Sequence, residues 1–224
     1  RQVNELDAQP ELVWIGTESE PFVGDSIVAQ GWCDPEDAVE VYETRDVLAR
    51  RLLENVPINF GSVMYRSATS AGVSFRLDEF EIIADRVLLC DIAAAGPVAA
   101  IREPLVRYRL HEAQDSHNPI FREQHALALM RYYRGLLPAP LSSADRALIV
   151  RHATNYLLHA RSTVAPANRM ALGELTREAR ADGLFRWSAV DGQGVAALAS
   201  LTGVGAAYAA VRPSLGRFKR LLRG

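Results

Sequence analysis

The spacing of apolar positions changes character along this chain. Over roughly the first hundred residues, short apolar runs alternate with helical stretches, a pattern that predicts an α/β fold. Val3 and Leu6 mark a short helix that Gln9-Pro10 ends, because proline disfavours helix in the residue before it. Leu12-Val13-Trp14-Ile15, closed by Gly16, predicts a short buried strand. The polar, glycine-bearing stretch 17–35 predicts a loop or irregular hairpin. From Pro35 the pattern predicts a helix that runs to Pro57. Asp34 can cap it, Pro35 suits its first position, and Val39, Val47, Leu48, Leu52 and Leu53 supply an apolar face.

Further on, Ser62 to Tyr65 predicts a strand and Ser67 to Gly72 a turn of small residues. A second helix is expected from about Phe80 to Ala95, stopped by Gly96-Pro97. Val98 to Ile101 and Leu105 to Leu110 then predict two strands separated at Glu103-Pro104. After Pro119 the strand patterns cease. Segments 120–135, 144–161, 167–182 and 194–211 are helical in composition. The expected organisation is an α/β body over 1–118 and an α-helical extension over 119–224, with no internal repeat.

Composition narrows the functional classes. Formal net charge is −2, which argues against a nucleic-acid binder. Residues 212–224 hold Arg212, Arg217, Lys219, Arg220 and Arg223 without an acid, so this tail is +5 and the remainder −7. Beyond Pro213, Leu215, Phe218, Leu221 and Leu222 form one face among those cations. That composition fits a helix lying on an anionic membrane surface, and equally a solvated basic terminus. Residues 194–211 are uncharged but mostly small, so a packed helix is expected there rather than a membrane span. Cys33 and Cys90 lack metal-site spacing and predict free thiols in a reducing compartment, hence a cytoplasmic protein. No secretory signal is expected, and an opening at Arg1 fits a chain that begins within a domain.

Two stretches carry candidate chemistry. In Phe80 to Ile92, Asp85 shares a helix face with Ile82, Leu88, Leu89 and Ile92, whereas Glu81 and Asp91 fall outside that stripe. A carboxylate in an apolar stripe is costly unless paired or at a pocket mouth. Partial desolvation would make it a better general base. The same pattern fits an aspartate at the edge of a buried face, reaching water or Arg86. In Glu103 to Ser116, Leu105, Arg107 and Arg109 alternate with Val106, Tyr108 and Leu110, and the strand opens into His111, Gln114, Asp115 and Ser116. Histidine is a divalent-metal ligand and arginine suits a diphosphate, though a polar strand end with a surface histidine reads the same way. His152 and His159 share a face but lack a third ligand, and Trp14, Trp32 and Trp187 read as packing residues.

Taken in order, "NFGSVMYRSA", an aspartate within "IIADRVLLCDIAAAGPVAAI", and "EPLVRYRLHEAQDS" resemble the later half of family 2 glycosyltransferases. The opening "RQVNELDAQPELVWIGT" resembles the helix and strand that follow that family's metal-binding DxD motif. The resemblance covers residues 1–118 and implies a partial GT-A-like mixed sheet with flanking helices. It implies transfer of a sugar from a nucleoside-diphosphate sugar, with divalent Mg or Mn, to a saccharide or lipid-linked acceptor in surface-polysaccharide synthesis. Asp85 falls at the family's catalytic-base carboxylate, although Ala84 interrupts the usual acidic pair. His111 falls near the metal and diphosphate with Arg109 beside it, and Gly61 and Ser62 fall where the chain passes the sugar and acceptor pocket. No DxD ends an apolar strand here. The donor-binding half is therefore expected from a missing segment or another chain, and this chain alone is expected to be inactive. The rival expectation is a non-catalytic helical interaction or membrane-docking module carrying a remnant of the enzyme.

Overall fold

The computed structural model of the 224-residue chain describes residues 1–28, 39–42, 58–112, 119–164 and 169–201. The chain divides into two compact units, Arg1–Phe121 and Arg122–Gly224. The first is mixed α/β. Among the described residues the second is helical, without strands.

In the first unit, helix α1 (Gln2–Ala8) buries Leu6 and ends at Gln9, whose N–H still bonds to the Glu5 carbonyl at 3.0 Å. Strand β1 follows at Trp14–Val23 and continues well past Gly16, where the sequence pattern predicts a stop. The reason is steric. A Cβ on Gly16 would lie 2.5 Å from Ile58 Cγ2, so glycine serves close packing here and does not end the strand. The stretch expected as a loop or irregular hairpin therefore supplies the outer half of β1 and the hairpin that β1 makes with the next strand. A two-residue turn with Gly24 at φ +59° then leads to β2 (Ser26–Ile27), antiparallel to β1.

Strand β3 (Val39–Tyr42) replaces the start of the helix expected from Pro35. Val39 and Val41 pack on Leu6, Leu12, Ile15, Ala99 and Ile101, while Glu40 faces Arg102. This period-two alternation of β-branched residues beside a free strand edge outweighs the local helical pattern. Asp34, Pro35, Val47, Leu48, Leu52, Leu53 and Pro57, on which that expectation also rested, lie outside the described residues.

Instead of the strand predicted from Ser62, a 3-10 turn at Phe60–Ser62 precedes the two-residue strand β4 (Met64–Tyr65). The small-residue segment that follows makes one helical turn, Ser67–Ser70. The helix expected from Phe80 to Ala95 is interrupted. A turn at Leu77–Phe80 and a 3-10 turn at Glu81–Ile83 precede helix α2 (Ala84–Ile92), and a 3-10 turn at Ala93–Ala95 closes it. The break falls at Glu81, the only non-glycine with positive φ (+37°) among the described residues.

Strand β5 is continuous from Val98 to Arg109, where two strands are predicted. Its pairing with β1 moves from Thr17↔Ile101 to Glu18↔Pro104 and then Ser19↔Val106. The extra residues fall on β5, and Pro104, which has no N–H to pair, sits within the irregular stretch. The sheet order is β2-β1-β5-β3, with β4 also on β1. Only β1 and β5 are parallel. The core lies along the first halves of these two strands, where Trp14, Ile15, Val98, Ala99 and Ile101 are buried.

In the second unit the helices are α3 (Pro119–Leu136), α4 (Ser143–Thr163), α5 (Arg169–Ala181) and α6 (Gly192–Leu201). Ser142 caps α4 by accepting the Asp145 N–H at 3.1 Å, and its hydroxyl donates to the Asp145 carboxylate. Leu129, Tyr133, Leu157, Leu158, Leu172 and Phe185 are among its buried side chains. Asn155, itself buried, donates to the carbonyls of Arg151 and Ala189 and accepts the Asp191 N–H at 3.0 Å, tying the loop before α6 to α4. Among the described residues no helix is long and apolar enough to cross a membrane. The basic tail lies outside them.

Candidate functional site

Helix α2 is built from residues that the core requires. Ala84, Val87, Leu88, Leu89, Cys90 and Ile92 are buried, and the Trp14 indole donates to the Leu89 carbonyl at 3.1 Å. That bond ties the middle of the helix to the first residue of β1. Asp85 sits in the first turn, half-buried, with Oδ1 accepting the Arg86 N–H at 2.7 Å. Among the described residues its second oxygen has no hydrogen-bond partner. Of the stripe read from the sequence, Leu88, Leu89 and Ile92 are buried on α2, while Ile82 is half-buried in the 3-10 turn before it. Asp91 takes a different role, lying 3.5 Å from Arg76. Hydrogen bonding to Glu79, with the charges of Glu79 and Asp91, holds the Arg76 guanidinium above its ordinary pKa against the opposing effect of burial. The same guanidinium lies 4.6 Å from the centre of the buried Phe80 ring, anchoring the segment that leads into α2.

The β5 end is more open. Leu105, Arg107, Tyr108 and Arg109 are exposed, while Val106 and Leu110 are half-buried, so one face carries the two arginines and Leu105 together. Arg107 pairs with Glu20 at 3.2 Å, and the Leu110 N–H bonds to the Phe22 carbonyl at 2.8 Å, holding this end against β1. His111 follows, exposed and without a hydrogen-bond partner among the described residues. No hydrogen bond or ion pair among them joins Asp85 to His111 or to Arg109. Gln114, Asp115 and Ser116 lie outside the described residues.

Gly61 and Ser62 take structural positions. The Gly61 N–H donates to the Asn59 side chain at 2.9 Å. The buried Ser62 hydroxyl accepts the Thr17 N–H at 3.0 Å and directs its proton to the carbonyls of Thr17 (2.9 Å) and Asn59 (2.6 Å). Its bonding capacity is spent inside the fold, on the edge of β1 between β4 and β2. For a divalent metal, no group of three or more His, Cys, Asp or Glu side chains forms among the described residues. His111 by itself does not make such a site.

Three features escape the sequence reading. Glu18 is only 5% exposed, and the Arg102 guanidinium reaches it at 3.9 Å while donating to Glu40 through Nε at 3.1 Å. Hydrogen bonding to Glu40 raises the Arg102 pKa against desolvation, with Glu18 adding a smaller charge effect. The alternation Glu18-Ser19-Glu20 just after an apolar run is the signal that β1 continues with an acid turned inward. The second feature is a ring cluster in the helical unit. Tyr133 bonds to His152 Nδ1 and Tyr156 to His125 Nδ1, both at 2.6 Å, and the His152 and Tyr156 rings stack at 6.0 Å. His152 is therefore a half-buried packing residue, whereas His159 is exposed. Third, Trp187 is 56% exposed and meets Phe185 edge-on at 5.1 Å, so it is not the core residue that Trp14 is.

The fold defines a class: a mixed α/β unit followed by a helical unit. No family model, curated protein or solved structure matches the chain.

Proposed function

We propose that residues 1–118 form the acceptor-side, base-bearing part of a family 2-type glycosyltransferase with a GT-A-like sheet. It moves a sugar from a nucleoside-diphosphate sugar to a saccharide or lipid-linked acceptor in surface-polysaccharide synthesis. The observation that carries this reading is Asp85: a half-buried carboxylate with one oxygen that lacks a hydrogen-bond partner among the described residues, in the first turn of a helix that is otherwise core. The parallel β1–β5 pair, joined by a crossover containing that helix, supports it. His111 follows the carboxyl end of β5.

In this mechanism the acceptor oxygen attacks the anomeric carbon while its proton passes to Asp85. The bond from that carbon to the diphosphate breaks, and its electron pair leaves with the phosphate oxygen. A positioned base contributes on the order of a hundred- to ten-thousand-fold. A divalent ion, when bound, would neutralise the leaving diphosphate. Its ligands belong largely to the donor-binding half. Arg109 and His111 are the groups of this chain that the family resemblance assigns to the diphosphate.

The test uses the full-length protein with a panel of nucleoside-diphosphate sugars, Mg or Mn, and saccharide or lipid-linked acceptors. Acceptor-dependent release of nucleoside diphosphate is expected. Asp85→Asn should abolish it while leaving the unfolding midpoint and donor affinity nearly unchanged, since an amide oxygen can still accept the Arg86 N–H. Wild-type turnover in that variant removes Asp85 from the mechanism, and no release with any donor removes the transferase reading.

A further inference from the structure

We draw no further inference here: the strongest candidate, the exposed apolar side chains Val23, Ile27, Val28, Leu105 and Tyr108 on the outer halves of β1 and β5 and at β2, carries nothing because they fall on both faces of the sheet and nothing in the structure shows what covers them.

Discussion

Ser62 grips Thr17 through a single hydroxyl, which accepts the Thr17 N–H at 3.0 Å and lies 2.9 Å from the Thr17 carbonyl. Both residues are buried. One side chain thus stands in for a neighbouring strand at the point on β1 where β4 has ended and β2 has not begun. Gln2 adds to this joint by donating to the carbonyls of Ile15 and Ser62, which ties α1 to both.

Ser62→Ala removes the acceptor from a buried N–H and should destabilise the first unit by about 1–3 kcal/mol. Urea denaturation followed by tryptophan fluorescence reads this directly, because Trp14 lies three residues before Thr17. Unchanged stability together with weakened sugar-nucleotide binding would instead make Ser62 a ligand contact.

Arg102→Met leaves Glu18 and Glu40 without their guanidinium. Fully buried pairs cost about 3–5 kcal/mol to break, but Arg102 and Glu40 are 26% and 31% exposed, so about 1–3 kcal/mol is expected after solvent screening. The pH dependence has a definite sign. A basic group whose folded pKa is raised contributes fully below its unfolded pKa, and loses that contribution only as pH rises through the folded value. For an arginine that window lies far into alkali, so the deficit should stay constant from about pH 6 to 9. A deficit that disappears by pH 9 would show that another group carries the interaction.

Gly194→Ala tests the second unit. A Cβ there would lie 2.2 Å from Asn155 Oδ1 and 2.8 Å from Val190 Cγ1. Alanine gains about 1 kcal/mol of helix propensity over glycine, yet overpacking against a buried, hydrogen-bonded amide costs about 1–3 kcal/mol. Asn155 must also give up its bond to the Asp191 N–H in order to move aside. A net loss of stability is expected in thermal unfolding. An equal or higher midpoint would mean that α6 shifts without cost.

Glu81→Gly should behave in the opposite sense. Glu81 is exposed and its backbone lies at φ +37°, so glycine removes strain without removing a buried contact. A gain of up to about 1 kcal/mol is expected. Arg86→Gly, inside α2, should lose about that amount. If both variants lose stability equally, the break before Asp85 is not strained.

The sequence by itself determined the elements whose bonds are local. Pro10 after Gln9 and the helical composition of the segments after Pro119 are enough to place helices, because each turn bonds four residues away. The apolar run at Leu12–Ile15 likewise marks the strand at the centre of the sheet. Asp85 is legible for the same reason, since its face depends only on the period of its own helix.

Tertiary structure alone decided the features whose partners are remote. Val39–Tyr42 is a strand because β5 lies beside it, with Glu40 and Arg102 sixty-two positions apart. Gly16 passes through β1 because Ile58 comes close, and Pro104 stays in β5 because a bulge accommodates it. Ser62 becomes part of the sheet edge through Thr17, forty-five residues away. A strand satisfies its hydrogen bonds on another segment, so its length, register and breaks depend on residues that no local pattern contains.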